Sequence, residues 1–267
     1  MVGLIAALAS MGPACGVQDK ELILATTTST QDSGLLEALV PAFEKKTGYE
    51  VKTVAVGSGA AMQMGERGDA DVLLVHSPFA EEAFVAAGQG IERARVMYND
   101  FVLLGPASDP AGVHSAATIA DAMRRIYATG AAFFSRGDDS GTHAKEKGLW
   151  ATAGLEVPVN DAWYSQTGQG MGATLTIAAE KDGYTLSDRA TWLARGSDFP
   201  LGVVSQGDGA LLNVYHVIVV NPATHQRVNV EGARAFRAFL LEADTQAIIS
   251  AFGADQYGQS LFVGYPD

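Results

Sequence analysis

Short apolar runs alternate along this chain with polar turns, and each turn is followed by a stretch whose apolar positions recur at helical spacing. Residues 22–25 read as a buried strand and 26–34 as a polar turn. Leu35, Leu36, Leu39, Val40 and Phe43 then share one helical face, and Lys45, Lys46 and Gly48 end that helix. A strand at 51–56, a Gly57-Ser58-Gly59 turn and a helix from 60 to about 65 follow. Asp71 opens a further strand at 72–75, and 80–87 is a helix. The second half repeats the plan. Residues 131–134 form a strand, 135–143 a turn and 144–150 a helix. Residues 162–164 run into Gly168–Gly172 and a helix at 173–180; 183–186 and a helix at 189–194 complete the echo. Two long extended runs, 98–106 and 215–222, both close on proline and are expected to cross between halves as a hinge. Helices at 233–241 and 245–252 should pack back on the first half. The expected fold class is α/β with two similar lobes. Such sheets take ligands at the carboxyl ends of their strands, so a cleft between the lobes would gather four turns.

The turn Ser135-Arg136-Gly137-Asp138-Asp139-Ser140-Gly141-Thr142-His143 carries the densest chemistry. A strand leads in and a helix leads out, which aims free backbone N–H groups and a positive dipole end at the turn. One guanidinium and the hydroxyls of Ser140 and Thr142 add donors suited to a small oxyanion. A plainer assignment has Ser140 capping the helix and Arg136 paired with Asp138 or Asp139. The hydroxyl run from Thr26 to Ser29 exceeds what one cap needs, and suggests several donors turned to one point.

Other chemistries fit less well. The glycines at 57–59 and 168–172 lack the third glycine of a dinucleotide fingerprint, and there is no P-loop. Ser140 with His143 as base would make a hydrolase, but no nucleophile elbow surrounds that serine. Asp138, Asp139, Asp188 and Asp198 read as caps and solvated charges, and Met62, Met64 and Met171 as packing residues. The five histidines are scattered and the one cysteine is Cys15, so neither zinc nor a disulfide is expected.

A net charge of −12 argues against nucleic acid as partner. It does not argue against an anion, because local N–H and O–H dipoles decide that question. Residues 2–11 are apolar but too few to span a bilayer, and Gly12, Pro13 and Ala14 lead to Cys15. Residues 1–18 are therefore expected to be a secretory leader, with Cys15 a possible lipid attachment point, and the mature protein to be exported. The lobes are expected at 19–103 with 217–267, and at 104–216.

The segments 24–30, 65–75, 98–101, 135–143 and 168–172 together resemble the tungstate-binding proteins of bacterial ABC importers. The resemblance implies a class II periplasmic binding fold that closes on one tetrahedral oxyanion. It implies delivery to a membrane permease with its ATPase by a periplasmic, monomeric receptor that is not an enzyme and carries no cofactor. Matched residue by residue, it implies Thr27, Thr28, Ser29 and Ser58 as donors from the first lobe. Arg136, Ser140, Gly141 and Thr142 would donate from the second, with Gly170 offering its N–H. Arg136, Asp138, Ser140, Gly141 and Thr142 are also similar to the pattern of phosphate-binding proteins. Phosphate is therefore the alternative ligand, with molybdate and sulfate as further members of the same class. For tungstate, Asp138 is expected to turn from the anion and orient Arg136.

Overall fold

The computed structural model describes residues 20–195 and 198–265; the leader expected at 1–18, with Cys15, lies outside them. The first half runs β1 (Glu21–Thr27), α1 (Thr28–Asp32), α2 (Leu35–Thr47), β2 (Glu50–Val56), α3 (Ser58–Arg67), β3 (Val72–Val75) and α4 (Pro78–Ala86). It continues through β4 (Gly90–Pro106), α5 (Ile119–Thr129), β5 (Phe133–Ser135), α6 (Gly141–Thr152), β6 (Tyr164–Gln166) and α7 (Met171–Glu180). The rest is β7 (Thr185–Asp188), α8 (Arg189–Arg195), β8 (Leu201–Ser205), β9 (Leu212–Val220), α9 (Val230–Leu241), α10 (Ala243–Ala251), α11 (Ala254–Tyr257) and β10 (Val263–Gly264).

Strand β1 lies between β2 and β3 and is parallel to both. The β3 segment Val-Leu-Leu-Val is buried throughout, as expected of a strand covered on both faces. The echo in the second half has the same order: β5 pairs in parallel with β6, and Phe133 bridges in parallel to Tyr184 beside β7. Strand β9 runs antiparallel to β3. Strand β4 joins the two arrangements. Its Gly90–Asp100 portion pairs with β9, and from Phe101 to Pro106 it pairs with β7 and β8.

Each arrangement has its own aromatic core. Phe43 meets Phe236 edge-on at 5.0 Å and stacks near Tyr49. In the other, Trp150 packs edge-on to Phe133 at 5.3 Å with Trp163 and Tyr164 around it. Arg189 ties α8 to β4 through two parallel bonds of 2.6 Å to Asp100.

The structure differs from the sequence pattern in several places, the short α11 and β10 among them. The turn expected at 26–34 is mostly ordered backbone: Thr26 and Thr27 extend β1, and Thr28–Asp32 form α1. The extended run expected from 98 begins at Gly90, because β9 offers a partner along that whole length. Helix α5 and strand β8 had no assigned element; α5 starts at Thr118, whose Oγ1 accepts from the Asp121 N–H at 3.1 Å.

Asp109 holds the loop after β4. Its carboxylate accepts from the Tyr184 hydroxyl at 2.6 Å and from the N–H groups of Val113 and His114. Burial pushes its pKa up, but these bonds outweigh burial and hold it at about 2. A depressed pKa means stability that is present above the unfolded value and lost as pH falls through the folded one. Asp109→Asn should cost about 1 kcal/mol at neutral pH, allowing for solvent screening. In urea unfolding, the gap from wild type should close as pH falls from about 4 to about 2.

Candidate functional site

Helix starts and strand ends converge on one small cavity of about 20 Å³. Its walls include Thr27, Thr28 and Ser29 from the β1–α1 junction, Gly57 and Ser58 from the start of α3, and His76 after β3. Arg136, Ser140, Gly141 and Thr142 come from the β5–α6 turn, with Asp188, Asn213 and Tyr215 behind. That volume suits one small ion.

The donors are arranged by local sequence. Thr26 points away and donates to the Leu74 carbonyl at 2.8 Å, so it fastens β1 to β3. The next residue, Thr27, turns inward: its Oγ1 lies 2.8 Å from Thr30 Oγ1 and 3.1 Å from Ser29 Oγ. Helices α3 and α7 start at Gly57 and Gly170 with no side-chain cap, so their first N–H groups stay open. Helix α6 is capped by Ser140, whose Oγ accepts from the His143 N–H at 3.4 Å.

Arg136 is half committed. Its Nη2 donates to Asp138 at 2.5 Å, while its Nε is buried with no partner. Ser58 Oγ is likewise buried with no partner. Buried donors of this kind are costly unless a ligand completes them. Asp138 also accepts from the Ser140 N–H at 3.2 Å. Burial pushes its carboxyl pKa up, yet the Ser140 bonds and the Arg136 charge hold it below the ordinary value. Both assignments for this turn therefore apply together: Ser140 caps, Arg136 pairs with Asp138, and a further Arg136 donor remains.

Gly137 and Gly141 are required for steric reasons. Gly137 has φ +60°, and a Cβ there would meet Gln166 Cβ at 2.6 Å. A Cβ on Gly141 would meet His76 Cε1 at 2.6 Å.

Gly170 stands apart from the other expected residues. It lines a neighbouring cavity of about 340 Å³, with Met171, Gly172, Thr191 and Arg195, that shares Thr28, Ser29, Arg136 and Asp188 with the first. Ser140 and His143 do not form a nucleophile and base. The His143 Nδ1 accepts from the Asp139 N–H at 3.0 Å, and the serine hydroxyl serves the backbone. Among the described residues no cluster of metal-ligating side chains occurs.

Sequence reasoning passed over His76, Asn213 and Tyr215, and took Asp188 for a cap or a solvated charge; it does cap α8, but it is buried on the cavity wall. Asp188 closes β7, is 8% exposed, and accepts from both the N–H and the hydroxyl of Thr191 at 2.8 Å. Burial raises its pKa, against the pull of those bonds and of Arg136. The signal that could have found His76 and Asp188 is position: each sits at the carboxyl end of a strand, where such sheets hold ligands.

Helix starts and strand ends gathered on a donor-lined cavity define a solute-binding protein of the PBP superfamily, whose domain model matches residues 14–244. The tungstate-binding protein TupA of Peptoclostridium acidaminophilum is 50% identical over 243 residues, covering 90% of this chain and 84% of that protein. TupA of Campylobacter jejuni is 43% identical over 228 residues, with 84% of each covered. Among solved structures, the tungstate-binding protein TupA of Desulfovibrio alaskensis G20 superposes with a TM-score of 0.84 at 47% identity, over 92% of this chain and 99% of that one. The tungstate ABC transporter structure from Geobacter sulfurreducens gives 0.76 at 45%, over 87% and 98%. The chain belongs to this family of tungstate-binding proteins.

Gly141→Ala should press its methyl group on a His76 ring that Asn213 holds in place. A loss of about 1–3 kcal/mol is expected, read by thermal unfolding without added anion.

Proposed function

We propose that this protein is the extracytoplasmic tungstate receptor of an ABC importer, binding the dianion in the small cavity and passing it to a membrane permease with its ATPase. One observation carries the reading: Arg136 Nε and Ser58 Oγ are buried without partners, and both residues line the same cavity. A tetrahedral oxyanion supplies acceptors in four directions. Thr27, Thr28 and Ser29 would meet it on one side with Ser58. Arg136, Ser140, Gly141 and Thr142 would meet it on the other, with Gly170 at the neighbouring opening.

In this reading residues 19–103 with 217–267 form one lobe and 104–216 the other. Strands β4 and β9 act as the two crossovers about which they close. Charge-assisted hydrogen bonds in a dry cavity contribute about 1.5–3 kcal/mol each, so a handful gives tight binding in an acidic protein. Sulfate has the same charge but is smaller, and its bonds would be stretched. The role is stoichiometric binding by a monomer, with no turnover. Cys15, outside the described residues, would tether the exported protein to a membrane through lipid.

A buried carboxyl at Asp188 favours phosphate as the second ligand, because hydrogen phosphate keeps a proton that such a group can accept. Two of the bonds Asp188 can accept are already taken by Thr191, which favours tungstate.

Calorimetric titration in phosphate-free buffer should give one-to-one tungstate binding, with sulfate and phosphate weak. Arg136→Ala should weaken tungstate about 100-fold and Ser58→Ala about tenfold. Unchanged affinity in Arg136→Ala contradicts the site, and tight phosphate binding transfers the function to the second ligand.

A further inference from the structure

His76 is the buried imidazole on the cavity wall, and its two ring nitrogens have different surroundings. Asn213 donates through Nδ2 to Asn99 Oδ1 at 2.8 Å and to the Tyr215 hydroxyl at 3.1 Å. Its carbonyl oxygen therefore faces His76 Nδ1, 2.9 Å away, and can only accept. Nδ1 carries a proton in every state. Nε2 lies 3.1 Å from both Ser29 Oγ and Thr27 Oγ1.

The charge on the ring decides which way those hydroxyls point. A neutral imidazole presents a bare lone pair at Nε2, so Thr27 or Ser29 must turn its single proton towards it and away from the cavity. A proton on Nε2 reverses the bond. The imidazolium donates, the hydroxyl accepts, and that hydroxyl's own proton becomes available to an anion.

We propose that oxyanion binding is coupled to uptake of one solvent proton at His76 Nε2, which frees the proton of the Thr27 or Ser29 hydroxyl for the anion and places a second cation beside it. The inference rests on the reading of this cavity as an oxyanion site. Nothing but the proton is transferred: Nε2 gains it from a buffer acid on binding and returns it on release.

Charged groups on the neighbouring elements act on the ring in both directions. From α4, Glu81 favours the charged ring; from α6, Lys145 opposes it. Glu81 is itself held by Arg93 at 2.8 Å and faces His216 at 2.8 Å. Tyr215 packs its ring on His76 at 4.6 Å between centroids, and burial keeps its hydroxyl protonated. Across the cavity Arg136 is paired with Asp138, which offsets part of its positive charge. Arg136 offers a dianion one cation, half of the dianion's own charge, and a protonated His76 supplies the second. Without an anion, burial brings the His76 pKa down to about 4, and the Asn213 bond only partly offsets that. Because the pKa is higher with the anion bound, affinity must rise as pH falls from the bound value towards the free one, by up to about tenfold per pH unit.

The test is titration of the full-length protein with micromolar tungstate at pH of about 6, in two buffers of different ionisation enthalpy. The number of protons taken up per anion follows from the difference in heat. Wild type and Asp188→Asn should both take up a substantial fraction of a proton, and His76→Gln should take up none. Its affinity should be flat with pH where the wild-type affinity climbs. Nitrogen-15 histidine NMR reads the same event without a variant, and covers a His76→Gln protein that does not fold: Nε2 should change from an acceptor-type to a protonated signal when tungstate is added. Tungstate binding with no proton uptake and an unchanged Nε2 signal overturns the inference alone. Uptake that persists in His76→Gln and vanishes in Asp188→Asn moves the proton to Asp188 and also overturns it. No tungstate binding by wild type overturns the oxyanion reading and this inference together.

Discussion

Arg136 uses one edge of its guanidinium to hold Asp138 and leaves its Nε buried without an acceptor. That split depends on nearly everything around it. Strand β5 carries the chain to the cavity, and Gly137 makes a left-handed turn that a side chain would block against Gln166. Asp138 fixes the guanidinium and receives the Ser140 N–H at the start of α6. A single residue is thereby held by its own turn, so its remaining donor faces a fixed point and need not be ordered on binding.

The opposite wall follows the same logic with neutral groups. Thr26, Thr27, Thr28 and Ser29 are adjacent in sequence but have separate environments. Thr26 is tied to β3 through the Leu74 carbonyl, Thr27 joins a hydroxyl chain with Ser29 and Thr30, and Thr28 stays exposed. The end of a strand meeting the start of a helix produces this change of direction within four residues. Opposite it, Gly141 lets α6 approach until His76 touches its backbone. The two walls therefore meet across one histidine.

Most strands and most helices were legible because apolar runs and helical periodicity are local; β8 and the short β10 were not. The repeat of strand, turn and helix also announced two equivalent arrangements, and β1 between β2 and β3 has its counterpart in β5 between β6 and Tyr184. The turns around Thr27, Ser58 and Arg136 stood out because hydroxyls, glycines and a guanidinium cluster there in sequence. His76, Asp188 and Asn213 did not, since each is a single polar residue near a strand end and belongs to no motif. Their role depends on strands distant in sequence lying side by side, which periodicity does not report. Gly170 shows the reverse case: its glycine-rich surroundings were legible, but the chain carries it to the adjoining cavity.

The account's central claim is the place of the anion. Anomalous diffraction at the tungsten absorption edge, from crystals grown with tungstate, tests it without assumptions about affinity. The account predicts one strong peak in the small cavity, between the Ser58 hydroxyl and Arg136 Nε and one oxygen's width from each, so that oxygens around the tungsten can accept from both. A peak in the larger neighbouring cavity beside Gly170 and Arg195, or no peak at saturating tungstate, would contradict it.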